Sequence, residues 1–233
     1  MIELDIPQLS SDGIQYLSFQ YTYSLQSSGT HSLISSSFDA TGLENYISFG
    51  DKTPSSTSHV VRNRTELDSI PLSVEDLWIG RFDTTGITEF PFNRFQSLKS
   101  LVIGNGIFWG VTSFELKLSG LVRLKRIVIG NNCFGKARVF ELDGLSELES
   151  VVIGQRSFTY AKTDDDIRYH VTRTDGVYRI VNCPKLKSIQ IGDRSFSDYH
   201  SFELNNLPSL QSIDIGDYCF YYTPSFSLTG LID

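Results

Sequence analysis

Three consecutive aspartates, Asp164, Asp165 and Asp166, followed by Arg168, His170 and Arg173, form the densest group of side chains in this chain that could do chemistry. Carboxylates so arranged can help hold a hard cation, or act as acid and base in polysaccharide cleavage with an arginine beside them. Local spacing supplies neither. Adjacent side chains in an extended loop diverge, and no calcium-loop glycine and terminal glutamate follow. Inverting hydrolysis needs a second carboxyl roughly 6.5–9.5 Å away across a groove, and no second acidic cluster stands on an adjacent period to provide it. His31, His59, His170 and His200 are scattered, with no Ser-His-Asp or His-Glu arrangement that spacing could certify. The expectation is no catalytic residue, no metal and no cofactor, with the Asp-Arg-His cluster a solvated insertion loop.

What must position these residues is a repeat. An apolar residue recurs at relative positions 1, 4, 6 and 11 in five copies: Leu98, Leu101, Ile103, Phe108; Leu124, Ile127, Ile129, Phe134; Leu148, Val151, Ile153, Phe158; Leu186, Ile189, Ile191, Phe196; and Leu210, Ile213, Ile215, Phe220. A weaker copy, Val74, Leu77 and Ile79, precedes them with Thr84 in place of the phenylalanine. A glycine follows each sixth position, at 80, 104, 130, 154, 192 and 216, so the period is about 24 residues. The one long interval, 154 to 192, holds an insertion of about 14 residues within 160–177, after which Tyr178-Arg179-Ile180 restores the frame. Insertions in solenoids collect on one face and often carry function.

Segments such as Ser188-Ile189-Gln190-Ile191 alternate apolar and other residues and are rich in β-branched side chains, which predicts one short strand per coil. The glycine after it is expected to supply backbone angles for the turn. A second apolar cluster, as in Phe140-Glu141-Leu142 or Phe202-Glu203-Leu204, predicts an opposite wall of extended or short helical turns, with the glutamate toward water. Stacking at about 4.8 Å per coil would turn each column into continuous core. The fold class expected is mainly β (α/β by repeat class): a right-handed solenoid with a parallel sheet, over residues 74–233. Residues 1–73 are expected as degenerate coils or a cap, with Phe38 to Leu43 and Ile47 to Gly50 echoing the frame and a loop from Lys52 to His59. The other reading of this Ser-rich part is a disordered arm.

The frame Leu98-x-x-Leu101-x-Ile103-x-x-Gly106-x-Phe108 resembles the leucine-rich repeat, over roughly residues 74–231. It departs at the ninth position, where that family usually has Asn or Cys and this chain has Gly106, Asn132, Arg156, Arg194 and Tyr218, so the usual ladder of turn-binding amides is expected to be missing. The strings Ile-Gly-Asn-Asn-Cys-Phe (129–134), Ile-Gly-Asp-Arg-Ser-Phe (191–196) and Ile-Gly-Asp-Tyr-Cys-Phe (215–220) are similar to the BspA-like subclass. The resemblance implies a protein-binding or adhesive solenoid without inherited catalytic residues. A right-handed parallel β-helix has coils of similar length and often cleaves polysaccharides, so that reading of the loop aspartates stays as the enzyme alternative.

A net charge of −7 and a pI near 5.1 argue against nucleic acid or an anionic membrane as partner, and no basic stripe compensates. No apolar run of membrane-spanning length is present, so no membrane insertion is expected. Met1 through Asp12 lacks the basic start and apolar run of a signal peptide. Cys133, Cys183 and Cys219 are odd in number, with Cys133 and Cys219 three coils apart. Free thiols lean toward a reducing, cytoplasmic setting, whereas the family resemblance suggests a cell surface; one Asn63-Arg64-Thr65 glycosylation triplet weighs little.

The residue between the two apolar strand positions reads Trp78, Val102, Val128, Val152, Gln190 and Asp214. Alternation points it away from the core, predicting an exposed stripe that turns polar toward the C-terminus. Such a patch usually marks a contact surface, although a covering segment of the same chain would serve equally. Arg126, in the flanking column of small polar residues, and Trp78 are the expected energetic centres of a protein interface. The coil around Ile213 and Ile215 is expected to leave an open sheet edge with Phe220 and Phe226 exposed, through which the chain self-associates end to end or is continued.

Overall fold

A computed structural model of the chain describes residues 57–80, 82–87, 89–111, 114–160 and 174–231, together with three two-residue strands nearer the N-terminus. In chain order the elements are β1 (Ile2–Glu3), β2 (Tyr23–Ser24), β3 (Ser32–Leu33), β4 (Ser58–Val61), α1 (Arg64–Asp68), β5 (Asp76–Ile79), β6 (Ser100–Ile103), β7 (Glu115–Ser119), β8 (Arg126–Ile129), β9 (Val139–Asp143), β10 (Ser150–Ile153), β11 (Val177–Val181), β12 (Ser188–Ile191), β13 (Ser201–Asn205), β14 (Ser212–Ile215) and β15 (Ser225–Thr229). The molecule is mainly β. Its parallel strands form a solenoid with two walls: an eight-stranded sheet in the order β3-β14-β12-β10-β8-β6-β5-β4, and a five-stranded sheet in the order β15-β13-β11-β9-β7.

Every coil is in register with the next. Ile189 lies beside Val151 and Ile213, and Ile191 beside Ile153 and Ile215. The second wall is a true sheet rather than helical turns: Phe140, Tyr178 and Phe202 share one inward column, and Leu142, Ile180 and Leu204 the next. The insertion leaves both sheets unbroken, because β10 pairs with β12 and β9 with β11 directly across it. Between the walls the frame phenylalanines stack, from Phe108–Phe134 at 5.1 Å through Phe134–Phe158 at 4.9 Å and Phe158–Phe196 at 4.7 Å to Phe196–Phe220 at 5.3 Å. The Phe140-Tyr178-Phe202 ladder meets them edge-on, as in Phe202–Phe220 at 4.8 Å and 78°. Phe220, expected to be exposed, is therefore buried, while Phe226 on β15 is half-buried. The outer edge of β14 pairs over two residues with Ser32–Leu33 of β3.

The tract expected as a loop up to His59 ends in strand, since Ser58 and His59 belong to β4 and pair with Asp76 and Leu77. A short helix follows, capped by Asn63, whose Oδ1 accepts the Glu66 N–H at 2.9 Å. The first residue of the glycosylation triplet thus serves as a helix cap. The echoes at Phe38 to Leu43 and Ile47 to Gly50 lie outside the described residues.

The frame glycines have a different cause from the one the sequence suggests. Gly130, Gly154, Gly192 and Gly216 do not adopt left-handed backbone angles. What excludes a side chain is the neighbouring coil: a Cβ on Gly154 would sit 2.7 Å from the Asn131 nitrogen and from the Gly130 carbonyl carbon, and one on Gly192 would sit 2.6 Å from the Gln155 nitrogen. Left-handed angles occur instead at positions 9 and 11, in Gly106, Asn132, Arg156, Arg194 and Tyr218, and in all five frame phenylalanines. Position 9 therefore asks for αL geometry, which glycine and asparagine meet most easily.

A ladder of turn-binding side chains is present, at positions 8 and 10 rather than at position 9. At position 8, Asn105 Oδ1 accepts the Asn131 N–H at 2.7 Å, Asn131 Oδ1 the Gln155 N–H at 2.8 Å, and Asp193 Oδ1 the Asp217 N–H at 3.0 Å. At position 10, the Ser157 and Ser195 hydroxyls donate to the Gly130 and Gly154 carbonyls at 2.8 and 2.7 Å, and the Cys133 and Cys219 thiols donate to Gly104 and Gly192 at 3.0 and 3.1 Å. Ser157 and Ser195 also accept the N–H of Cys133 and Ser157, so each of these two serines satisfies buried backbone groups of the preceding coil.

Gly154→Ala is expected to lower unfolding stability by about 1–3 kcal/mol through forced coil separation. Gly110→Ala, where a Cβ meets nothing within 4 Å, should change it by less than about 1 kcal/mol. Urea denaturation of both variants checks this, and equal costs would contradict the close-approach explanation.

Candidate functional site

Alternation places Trp78, Val102, Val128, Val152, Gln190 and Asp214 side by side on the outer face of the larger sheet, with Val60 of β4 preceding them. The column is real; its exposure is not as expected. Trp78 is 8%, Val102 0% and Val128 1% exposed, forming an apolar cluster separate from the main core with Val60 and Val152 packed against it. This half of the stripe is therefore buried rather than open to a partner. Val152, Gln190 and Asp214 are half-buried, and it is these three that present an accessible row.

The flanking column supports the row. Ser150, Ser188 and Ser212 are half-buried, Ser100 is buried, and Arg126 donates from Nη2 to the Ser100 hydroxyl at 3.2 Å. Beyond it run charge pairs along the next column: Lys99 meets Glu75 at 2.9 Å and Lys187 meets Glu149 at 3.0 Å, and these lysines are the leading cause holding the two carboxyls below the usual range. On the opposite wall Lys117, Glu141, Arg179 and Glu203 alternate in sign along one column, with Arg179 bonded to Glu203 at 3.0 Å and near Glu141 at 3.9 Å. That face is electrostatically self-satisfied.

Asp164, Asp165, Asp166, Arg168, His170 and Arg173 lie outside the described residues. His59 Nε2 makes a 3.1 Å hydrogen bond with the Glu66 carbonyl of the short helix. Cys133, Cys183 and Cys219 are free and buried; burial pushes the Cys133 thiol up to about 12 and the Cys183 thiol up to about 11, and raises Cys219 as well. Thiols so placed are not nucleophiles at neutral pH. Among the described residues no three His, Cys, Asp or Glu side chains are grouped to hold a metal ion, and no helix is long and apolar enough to cross a membrane. The geometry can hold a rigid row of side chains against another surface.

No protein-family model, no curated protein and no solved structure matches this chain.

Trp78→Ala is expected to cost about 3–5 kcal/mol, as for a buried aromatic. A change within about 0.5 kcal/mol in chemical denaturation would instead show an exposed ring.

Proposed function

We propose that this chain is a non-catalytic scaffold, a right-handed leucine-rich-repeat-like solenoid closest to the BspA-like subclass, that recognises a protein partner. The recognition row is the C-terminal half of the outer strand face: Val152, Gln190 and Asp214, rimmed by Ser150, Ser188 and Ser212. One observation carries this reading. These side chains are accessible on consecutive in-register strands, spaced at about 4.8 Å, where their positions are fixed before any partner arrives. Preorganisation of this kind removes much of the ordering cost of binding. The family resemblance points to the same class of function.

A second reading, end-to-end self-association, draws on β15. It is the edge strand of the smaller sheet, its Phe226 and Leu228 are half-buried, and Tyr221 nearby is 40% exposed.

The test is affinity capture from the source lysate with wild type, a Gln190→Arg/Asp214→Arg variant, and a Lys117→Glu control on the other wall, after circular dichroism shows all three folded. Loss of one specific protein from the double variant alone is the expected result. Capture profiles that do not differ between wild type and the double variant would overturn the assignment, and a concentration-dependent dimer in sedimentation velocity, abolished by Phe226→Ser, would favour the second reading.

A further inference from the structure

The weaker copy of the frame, which precedes the five full ones, is broken where they agree. After β5, positions 10 and 11 are Asp83 and Thr84, where the full copies have an uncharged residue and a phenylalanine. Thr84 turns inward, and its Oγ1 accepts the Phe108 N–H at 3.1 Å, standing in for the missing backbone partner. Asp83 turns outward and is exposed. The result is a hollow of about 550 Å³ at the corner between two coils, lined by Phe82, Asp83, Thr84 and Thr85 on one side and by Gly106, Trp109 and Gly110 on the other.

Three features give this hollow a chemical preference. The Trp109 ring is anchored, because it lies so close over Gly135 of the following coil that a Cβ there would fall 2.7 Å from two ring carbons. Held there, the ring is also part of the wall of the hollow, across from Asp83 and Thr84. Asp83 is locked by an Asx turn, its Oδ1 accepting the Thr85 N–H at 2.9 Å, and the same Thr85 bonds keep the carboxyl below its ordinary range and so ionised at neutral pH. Among the described residues no ion pair involves Asp83, in contrast to Glu75, Glu149 and Glu203, which each have a basic partner. Gly106 and Gly110 add no side chain to obstruct entry.

An anchored indole lining the same hollow as an ionised carboxylate that has no ion pair among the described residues is an arrangement that attracts a cation: the ring through its quadrupole, the carboxylate by charge. We propose that this corner hollow is a subsite for a basic side chain, a lysine or arginine of the protein partner, with Trp109 and Asp83 as its two contacts. The inference rests on the protein-recognition reading for the identity of the ligand, and the net charge of −7 favours a basic partner on approach.

Tryptophan indole N–H signals offer a test that needs no partner. The chain has two tryptophans, and Trp78 is buried elsewhere, so it serves as internal control. The ¹⁵N-labelled protein would be titrated with acetyl-Gly-Lys-Gly-amide, with its norleucine counterpart, and with glucose, assigning the signals with Trp109→Phe. The expected result is a shift of the Trp109 signal by the lysine peptide alone, with affinity on the order of millimolar. Asp83→Asn should weaken it roughly two- to fivefold and Asp83→Glu retain it. An equal response to norleucine, a response to glucose in place of lysine, an undiminished response in Asp83→Asn, or no response to any probe would each overturn the proposal. None of these outcomes bears on the Gln190 and Asp214 row, which the capture experiment tests separately.

Discussion

Close approach of one backbone to the next is the constraint from which the rest of this structure follows. Each coil hydrogen-bonds to its neighbours through the strands and also around the corner, as when Phe158 donates to the Cys133 carbonyl at 2.8 Å and Arg156 to the Asp193 carbonyl at 2.8 Å. Contact this tight leaves no room for a Cβ at position 7, hence glycine. At the corner it leaves peptide groups within reach of short polar side chains: Asn105, Asn131 and Asp193 at position 8 take exposed or half-buried N–H groups, and Ser157, Ser195, Cys133 and Cys219 at position 10 reach buried carbonyls. An unsatisfied buried group costs about 1–3 kcal/mol, which favours a small donor at position 10.

The same constraint carries costs that packing must offset. A non-glycine residue in the left-handed region is disfavoured by about 1–2 kcal/mol, yet five stacked phenylalanines occupy it. In Phe108, Phe134, Phe158 and Phe196 the N–H donates to the preceding coil while the ring packs on its neighbours, and aromatic burial of about 150–250 Å² per ring, a typical extent, outweighs the backbone term. Arg156, Arg194 and Tyr218 accept the same geometry at position 9 without a core to bury in. Tyr178 shows the limit of tolerance: it replaces phenylalanine in its column, and its buried hydroxyl has no hydrogen-bond partner among the described residues. The thiols of Cys133 and Cys219 at position 10 act as weak donors in a structural ladder, which accounts for cysteine at those two positions.

Most of the architecture was legible in the residues because two periods coincide. Alternation within Ser188-Ile189-Gln190-Ile191 fixed which side chains face inward, and recurrence every 24 or so residues fixed which stack, so the two walls and the phenylalanine ladder could be read directly. What could not be read depends on coil-to-coil distance. The glycine looked like a turn residue because its neighbour one coil away is invisible in sequence. The ladder looked missing because position 9 was inspected, whereas Asn105, Asn131 and Asp193 reach across from position 8. Burial of Trp78, Val102 and Val128 escaped for another reason: alternation tells which way a side chain points but not whether something lies over it. The hollow beside Trp109 was hidden in the one degenerate copy, where Asp83 and Thr84 looked like decay of the pattern. Local rule-breaking inside a regular repeat is where function is best sought.

The recognition proposed for this solenoid depends on its rigidity, and rigidity depends on the corners being held as firmly as the strands. Native-state hydrogen exchange tests that directly. The amides of Phe134, Phe158 and Phe196, which lie outside the strands and donate to the preceding coil, are expected to exchange only through global unfolding, with the same free energy as the strand amides of Ile127, Val151 and Ile189. Corner amides that exchange freely while the strands stay protected would show that the coils are joined by their sheets alone, and would contradict the account of close backbone stacking given for this protein.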